Sequence, residues 1–473
     1  MGAGHKTETV MSRVKSFYDN MIYAGRSRLV KQRRFIIGFV AQALQYGASL
    51  MLLPFLGSRL SSSEISVWYL LITIQGLAVI ADFGFGGSFA RGIATAMAGA
   101  DRLQEKGFVE RRCDAPNSQL IADLINAARS WYALLGLAVF VIMTTIGLTY
   151  VLNVTAGSHL DTTDVVMTWC VMAFATAQSM YFSWVNPILV GANRIEQDLI
   201  SLIIGKGGSA LLGIGALLAG GGMLSLAISQ LIALACGRLA AAIFLRPITR
   251  SLPKVPHDRT RTWALLRIIA PNATRSGVAS LSGFLITRSS VFAATSFVGL
   301  AAGGGYAITL QLLSAVMQVS QLPVQFTMPR LVALQAKGDG LTLRREAIQL
   351  SGIFILLFLF GAAFLATIVP AIFAHIGRSI TLLPTPLLLF LSIVMLLEGL
   401  HGVSAFILTT GNKIPFSRAA VLSAVAVAIG TIFAGWQGWG IGGIIAVQGL
   451  VQLSYNNWRW PLMLLQDTRL AKA

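Results

Sequence analysis

Apolar runs of roughly 20 residues recur along this chain from Phe35 to Pro461, separated by short polar or basic stretches, and each can cross about 30 Å of hydrocarbon. No other feature constrains the fold as much. In lipid every backbone N–H and C=O needs an internal partner, so such runs must be helices. The expected spans are 35–56, 65–86, 130–152, 165–190, 199–219, 223–245, 272–296, 303–329, 347–370, 384–409, 417–435 and 440–460. This predicts an all-α integral membrane protein of about 12 transmembrane helices. Composition agrees: 11% of residues are charged and 55% hydrophobic, against about 25% charged in soluble domains. The 47 glycines suit helices that approach closely.

A net charge of +18 raises nucleic-acid binding, which would gather the cations on one face or domain. Here they alternate with the apolar runs. Arg91, Arg102, Lys106, Arg111, Arg112, Arg129, Arg194, Arg246, Arg250, Lys254, Arg330 and Arg344 fall on one side, whereas the opposite loops hold only Arg59 and Arg378. That is the positive-inside pattern, and it places both termini in the cytoplasm with no role for nucleic acid. No cleavable signal is expected, because the first apolar run starts late and is too long for one.

The spans divide the chain into two halves. The expected organisation is a basic segment at 1–34, a first lobe at 35–245, a basic linker at 246–271, a second lobe at 272–460 and a tail at 461–473. Val14, Phe17, Tyr18, Met21 and Ile22 fall at helical spacing, which suits an amphipathic helix on the membrane surface or a loose tail. Segments 57–76 and 299–313 share a pattern of apolar helix, Gly turn and Trp/Tyr-led helix, a weak internal repeat of the kind many transporters carry. The long stretch 91–129 has no assigned role.

Several short motifs carry a resemblance. LGSRLSSSEISVWYLLITI (56–74), ADFGFGGSFARGIA (81–94), NPILVGANRIEQ (186–197), PVQFTMPRLVAL (323–334) and ILTTGNKIPF (407–416) resemble the Wzx-like polysaccharide transporters of the MOP flippase superfamily. The resemblance spans nearly the whole chain in order, through short and degenerate motifs. It implies two six-helix lobes around a central cavity, in a bacterial inner membrane. It also implies translocation of an undecaprenyl-diphosphate-linked oligosaccharide, for O-antigen, capsule or exopolysaccharide synthesis, by alternating access. Membrane lipids, a polysaccharide polymerase and a chain-length regulator are the partners it implies. No cofactor and no enzymatic activity are expected. Superfamily relatives that export drugs keep the same outline, so the substrate does not follow from the fold.

Ionisable residues within spans cost about 2.5–3.5 kcal/mol on insertion scales and usually face a cavity or a partner. Lys206, Arg238, Arg275 and Arg288 are the cationic candidates for binding substrate, since two phosphates cannot enter hydrocarbon uncompensated. Arg238 and Arg275 have a bland alternative, snorkelling to a nearby interface. Glu398 and His401, one turn apart in LLEGLHG (396–402), together with Asp82, are candidates for ion coupling. Their bland alternatives are a salt bridge from Glu398 to an arginine and, for Asp82, a helix-end residue or a partner for Arg91. GKGGS (205–209) lacks Walker spacing and lies in an apolar span. Cys113, Cys170 and Cys236 share no metal or disulfide spacing and read as small buried residues. Trp68, Trp131, Trp436, Trp439 and Trp458 read as anchors at the bilayer interface. The competing functions are a drug or metabolite exporter, which would want an acidic cavity in the first lobe, and a polysaccharide polymerase or ligase, which would want sizeable outward loops.

Overall fold

The computed structural model describes residue 33 and residues 36–45, 47–104, 115–253, 258–376, 380–411 and 416–466. Among the described residues every regular element is a helix, and there is no strand. In chain order the helices are α1 (Ile36–Gln45), α2 (Gly47–Arg59), α3 (Ser62–Ile80), α4 (Phe85–Met97), α5 (Ser118–Thr155), α6 (Thr162–Gly191), α7 (Ile195–Leu218), α8 (Met223–Arg250), α9 (Arg259–Val298), α10 (Leu300–Ala336), α11 (Gly340–Ile376), α12 (Thr385–Leu408), α13 (Ser417–Trp436), α14 (Gly440–Ser454) and α15 (Asn456–Gln466).

Among the described residues, nine helices are long and apolar enough to cross a membrane alone, and α1 with α2, bent by 44°, makes a tenth. The chain is thus a multi-pass membrane protein. The other two expected spans are helical but shorter. The run read as 65–86 stops at Ile80, because Phe83 (φ 48°) and Gly84 (φ 71°) turn the chain before α4 begins. The run read as 440–460 breaks at Tyr455, which leaves helical geometry between α14 and α15.

Helix pairing repeats between the halves. In the first, α5 packs on α6, α6 on α8, and α7 on α8; in the second, α11 packs on α12, α12 on α14 and α15, and α13 on α14. The α9–α13 contact matches the packing of α1 and α2 on α7, where Leu44 meets Gly207 and Leu52 meets Gly213. The halves meet through α3, which contacts both α9 and α10. The two segments with similar sequence, 57–76 and 299–313, therefore lie against each other. A Cβ added at Gly304 would sit 2.1 Å from the Ser66 hydroxyl, and one at Gly277 2.4 Å from the Phe83 Cα. Only glycine permits either approach.

Charged pairs cluster at the basic end of the bundle. Arg33 pairs with Glu196 at 2.6 Å, Arg261 with Asp123 at 3.8 Å, and Arg330 with Glu346. Arg129 lies 4.4 Å from the centre of the Trp184 ring. Asp258 caps α9: the Thr260 backbone N–H, then that of Arg261, holds its carboxyl below the usual carboxylate range. Helix continues to Arg250 and resumes at Arg259, so most of the stretch read as a linker at 246–271 is helical. Among the described residues of the stretch 91–129, most belong to the ends of α4 and α5. The reading of residues 1–34, and that of Cys113, lie outside the described residues except at residue 33.

Two sequence expectations fail on burial. Trp68 is buried within the core and anchors no interface, whereas Trp131 is half-buried and stacks on Phe85 with ring centres 4.0 Å apart, and Trp436, Trp439 and Trp458 are exposed. The reason is that α3 lies between the halves and faces lipid little. Cys170 and Cys236 are exposed rather than buried, because they fall on the outward faces of α6 and α8.

Within α5 the residues Met143–Gly147 form a π-helical turn. Such a turn displaces a carbonyl from the regular ladder. The Met143 carbonyl accepts there from the Leu148 backbone N–H and, at 2.9 Å, from the Trp169 indole N–H of α6.

Candidate functional site

The first half holds a polar seam between α6, α7 and α8. On α6, Thr176, Ser179, Ser183 and Asn186 recur at intervals of three or four, which stacks them on one helical face. Arg238 of α8 lies along that face. Its Nη2 donates to the Ser183 hydroxyl at 2.9 Å and to Ser179 at 3.0 Å, its Nε donates to Ser179 at 3.3 Å, and its Nη1 donates to the Asn186 side-chain carbonyl. Arg238 is therefore held inside the bundle and does not snorkel. Four of its donor contacts go to neutral acceptors, so its positive charge is not cancelled at contact distance.

Lys206 sits beside this seam. The close approach of α7 and α8 brings it there: a Cβ at Gly237 would lie 2.8 Å from the Ser201 carbonyl and 3.0 Å from the Gly205 Cα. Each of these glycines immediately precedes one of the cations, so the contact sets Lys206 and Arg238 side by side, within electrostatic reach of each other. The glycines of GKGGS thus serve helix packing. Lys206 is exposed, and among the described residues it makes no hydrogen bond or ion pair.

Two carboxylates complete the seam. Asp198 accepts from the Asn186 amide and feels Arg238 electrostatically. Asp82 accepts from the Tyr132 hydroxyl, and from the Gly86 backbone N–H at 3.2 Å. Tyr132 itself lies within reach of Arg238. Arg91 bonds to Ser88 at 3.0 Å, so the expected Asp82–Arg91 alternative does not form. Further along, Gln230 donates to Gln75 and Gln75 to Thr176, each at 2.8 Å.

The second half differs. Glu398 is buried and accepts from Gln448 at 2.9 Å; among the described residues it has no arginine partner, which removes the salt-bridge alternative. His401 meets Asn457 at 3.1 Å, so the two coupling candidates share a turn but not a partner. Asn456 donates to Ser423 and Gln452, and Trp460 to Asn456. Among the described residues, Gln448 Oε1, Gln452 Nε2 and Asn457 Nδ2 are buried without a hydrogen-bond partner.

Arg288 is partly buried on α9. It donates to Gln311 at 3.2 Å, and Gln311 donates to Ser49 at 3.2 Å, a relay from the second half to the first. Tyr306 lies within electrostatic reach of both Arg288 and Glu398. Arg275 is exposed on the same helix and joins none of these groups. The structure therefore brings Lys206, Arg238 and Asp82 toward one seam, places Arg288 and Glu398 in the other half, and leaves Arg275 apart. Sequence reading missed Asn186, Asp198, Ser179 and Ser183. The polar stripe on an otherwise apolar α6 was the signal. Among the described residues, no group of His, Cys, Asp and Glu is arranged to hold a metal ion.

An all-helical membrane protein with paired halves meeting at a central helix is the architecture of a known transporter fold. The chain has the fold of the MATE transporters of the MOP superfamily. It is similar to the inward-facing conformation of a multidrug resistance MATE family transporter, with a TM-score of 0.65 and 14% identity over 91% of this chain and 96% of that one. It is similar, at a TM-score of 0.53 and 14% identity, to a MOP superfamily transporter from Pyrococcus furiosus, covering 92% and 95% of the two chains; that protein is described as having a binding pocket of reversed polarity that suggests a different function. The outward-facing conformation of a multidrug resistance MATE family transporter aligns less well, at 0.52, with 13% identity over 93% and 95%. No protein-family model and no curated protein sequence matches the chain.

Proposed function

We propose that this protein is a secondary transporter working by alternating access, and that it carries an undecaprenyl-diphosphate-linked oligosaccharide across a bacterial inner membrane with both its termini in the cytoplasm. The observation that carries the substrate class is Lys206: an exposed ammonium within an apolar helix, beside Arg238 and, among the described residues, without a counter-ion at contact distance. A diphosphate would supply that counter-ion. Lys206 makes the contact, since among the described residues its three donors are unengaged; Arg238 supplies field, since most of its donors are engaged. Arg288 offers a second cation from the other half. The lipid tail stays in the bilayer while the headgroup crosses.

Glu398 and His401 are proposed to couple transport to a proton gradient. Glu398→Gln is then expected to abolish the response of transport to that gradient. The same transport rate at every gradient in wild type and variant would remove Glu398 from coupling.

A second reading, a drug exporter, is favoured by two observations: the fold shared with a multidrug resistance MATE transporter, and the pair Asp82 and Asp198 in the first half, which would suit a cation. One experiment separates the two. The gene is deleted in its host and restored as wild type or as Lys206→Ala, and undecaprenyl-linked oligosaccharides and surface polymer are quantified. Lipid-linked units accumulating in the deletion and in a well-expressed Lys206→Ala strain support the flippase reading. Unchanged lipid intermediates with altered drug sensitivity overturn it in favour of the exporter.

A further inference from the structure

The seam that holds Lys206 and Arg238 also holds its own opposing charge. Asp198 lies in the first turn of α7 and is joined to Arg238 by a single side chain: the Asn186 amide donates to Asp198 while its carbonyl accepts from Arg238. The carboxylate polarises that amide and strengthens its bond to the guanidinium, yet it never reaches the guanidinium itself. Asp198 is the carboxylate within electrostatic reach of Arg238, so it offsets part of the positive charge that Lys206 and Arg238 bring together, and neutralising it would leave that charge unopposed.

We propose that Asp198, acting through Asn186, is a built-in competitor that tempers anion binding at Lys206 and Arg238, so that a captured phosphate is released instead of trapped. This rests on the reading of the seam as an anion site. Asp198 and Asn186 are positioning residues. They set the strength of the site by holding Arg238 and opposing its field, and Lys206 touches the ligand. A transporter needs such balance, because binding that is uniformly tight slows departure as much as it favours arrival.

The test uses the purified full-length protein with inorganic pyrophosphate as probe, and the same variants reconstituted for transport. Asp198→Asn keeps an acceptor for the Asn186 amide and removes the charge. It is expected to bind pyrophosphate about tenfold more tightly than wild type, to lower KM and to lower kcat. Asp198→Glu is expected to restore both constants. Asn186→Asp places a carboxylate directly on Arg238 and is expected to weaken binding about tenfold or more, with folding checked by thermal unfolding. A purely structural role for Asp198 would lower kcat without tightening the probe, and that result overturns the proposal while leaving the anion site standing. Pyrophosphate binding to neither wild type nor Asp198→Asn overturns both the competitor and the anion reading.

Discussion

The α6–α8 seam of the first half and the α12–α14/α15 seam of the second occupy matching places in the helix pairing but solve opposite problems. In the first, a half-buried guanidinium is met by four donor contacts to neutral groups, and its nearest acid among the described residues is one side chain away. In the second, the buried Glu398 carboxylate has one amide, and three neighbouring amide atoms have no partner among the described residues. A satisfied polar network fixes geometry, whereas a partly satisfied one leaves free energy available for rearrangement or for water. The comparison thus teaches that seams in matching places differ in polar satisfaction: the Arg238 guanidinium is engaged by neutral acceptors, whereas the amides around Glu398 are only partly engaged among the described residues.

The largest effect expected from this contrast is at Arg238. Arg238→Met strands Ser179, Ser183 and Asn186 and leaves Asp198 uncompensated, for a loss of about 3–5 kcal/mol, measured by chemical unfolding in detergent. Gln448→Leu removes the single donor to Glu398 and should cost less, about 1–3 kcal/mol, by the same measurement. If Gln448→Leu proved the more damaging, the second seam would be the rigid one and the contrast would be reversed. Next, Trp169→Phe removes one of the two donors to the Met143 carbonyl in the π-helical turn and should cost about 1 kcal/mol, and hydrogen exchange there should quicken. The smallest effect is at the basic end. Arg33→Ala should change stability by less than about 1 kcal/mol, and any change should vanish in high salt. A larger, salt-insensitive loss would show that the membrane surface, and not the two seams, governs stability.

Much of the architecture was legible because a membrane helix must be both long and apolar, and twelve runs met that condition. The errors have physical causes. The ADFGFGG segment is apolar enough to extend a span, but Phe83 and Gly84 turn left-handed and end it. Trp68 obeyed the rule for interfacial aromatics, yet a helix buried between two halves has no interface to anchor. At the site, sequence identified the cations by their cost in lipid but could not pair them. The partners of Arg238 lie 52 to 59 residues away, and only the folded contact of Gly205 with Gly237 makes Lys206 its neighbour. Asp198 was missed because it fell one residue outside the span as read from apolarity, although the helix begins earlier, at Ile195.

Chain order assigns α3 to the first half, but the second half grips its first turns through Gly304 against Ser66, and the turn that follows it through Gly277 against Phe83. A frontier drawn in the primary sequence near residue 250 divides the gene into two parts. The packing is not divided there, because α3 is a shared wall: a substitution on its outer surface would be felt by α9 and α10 as directly as by its own half.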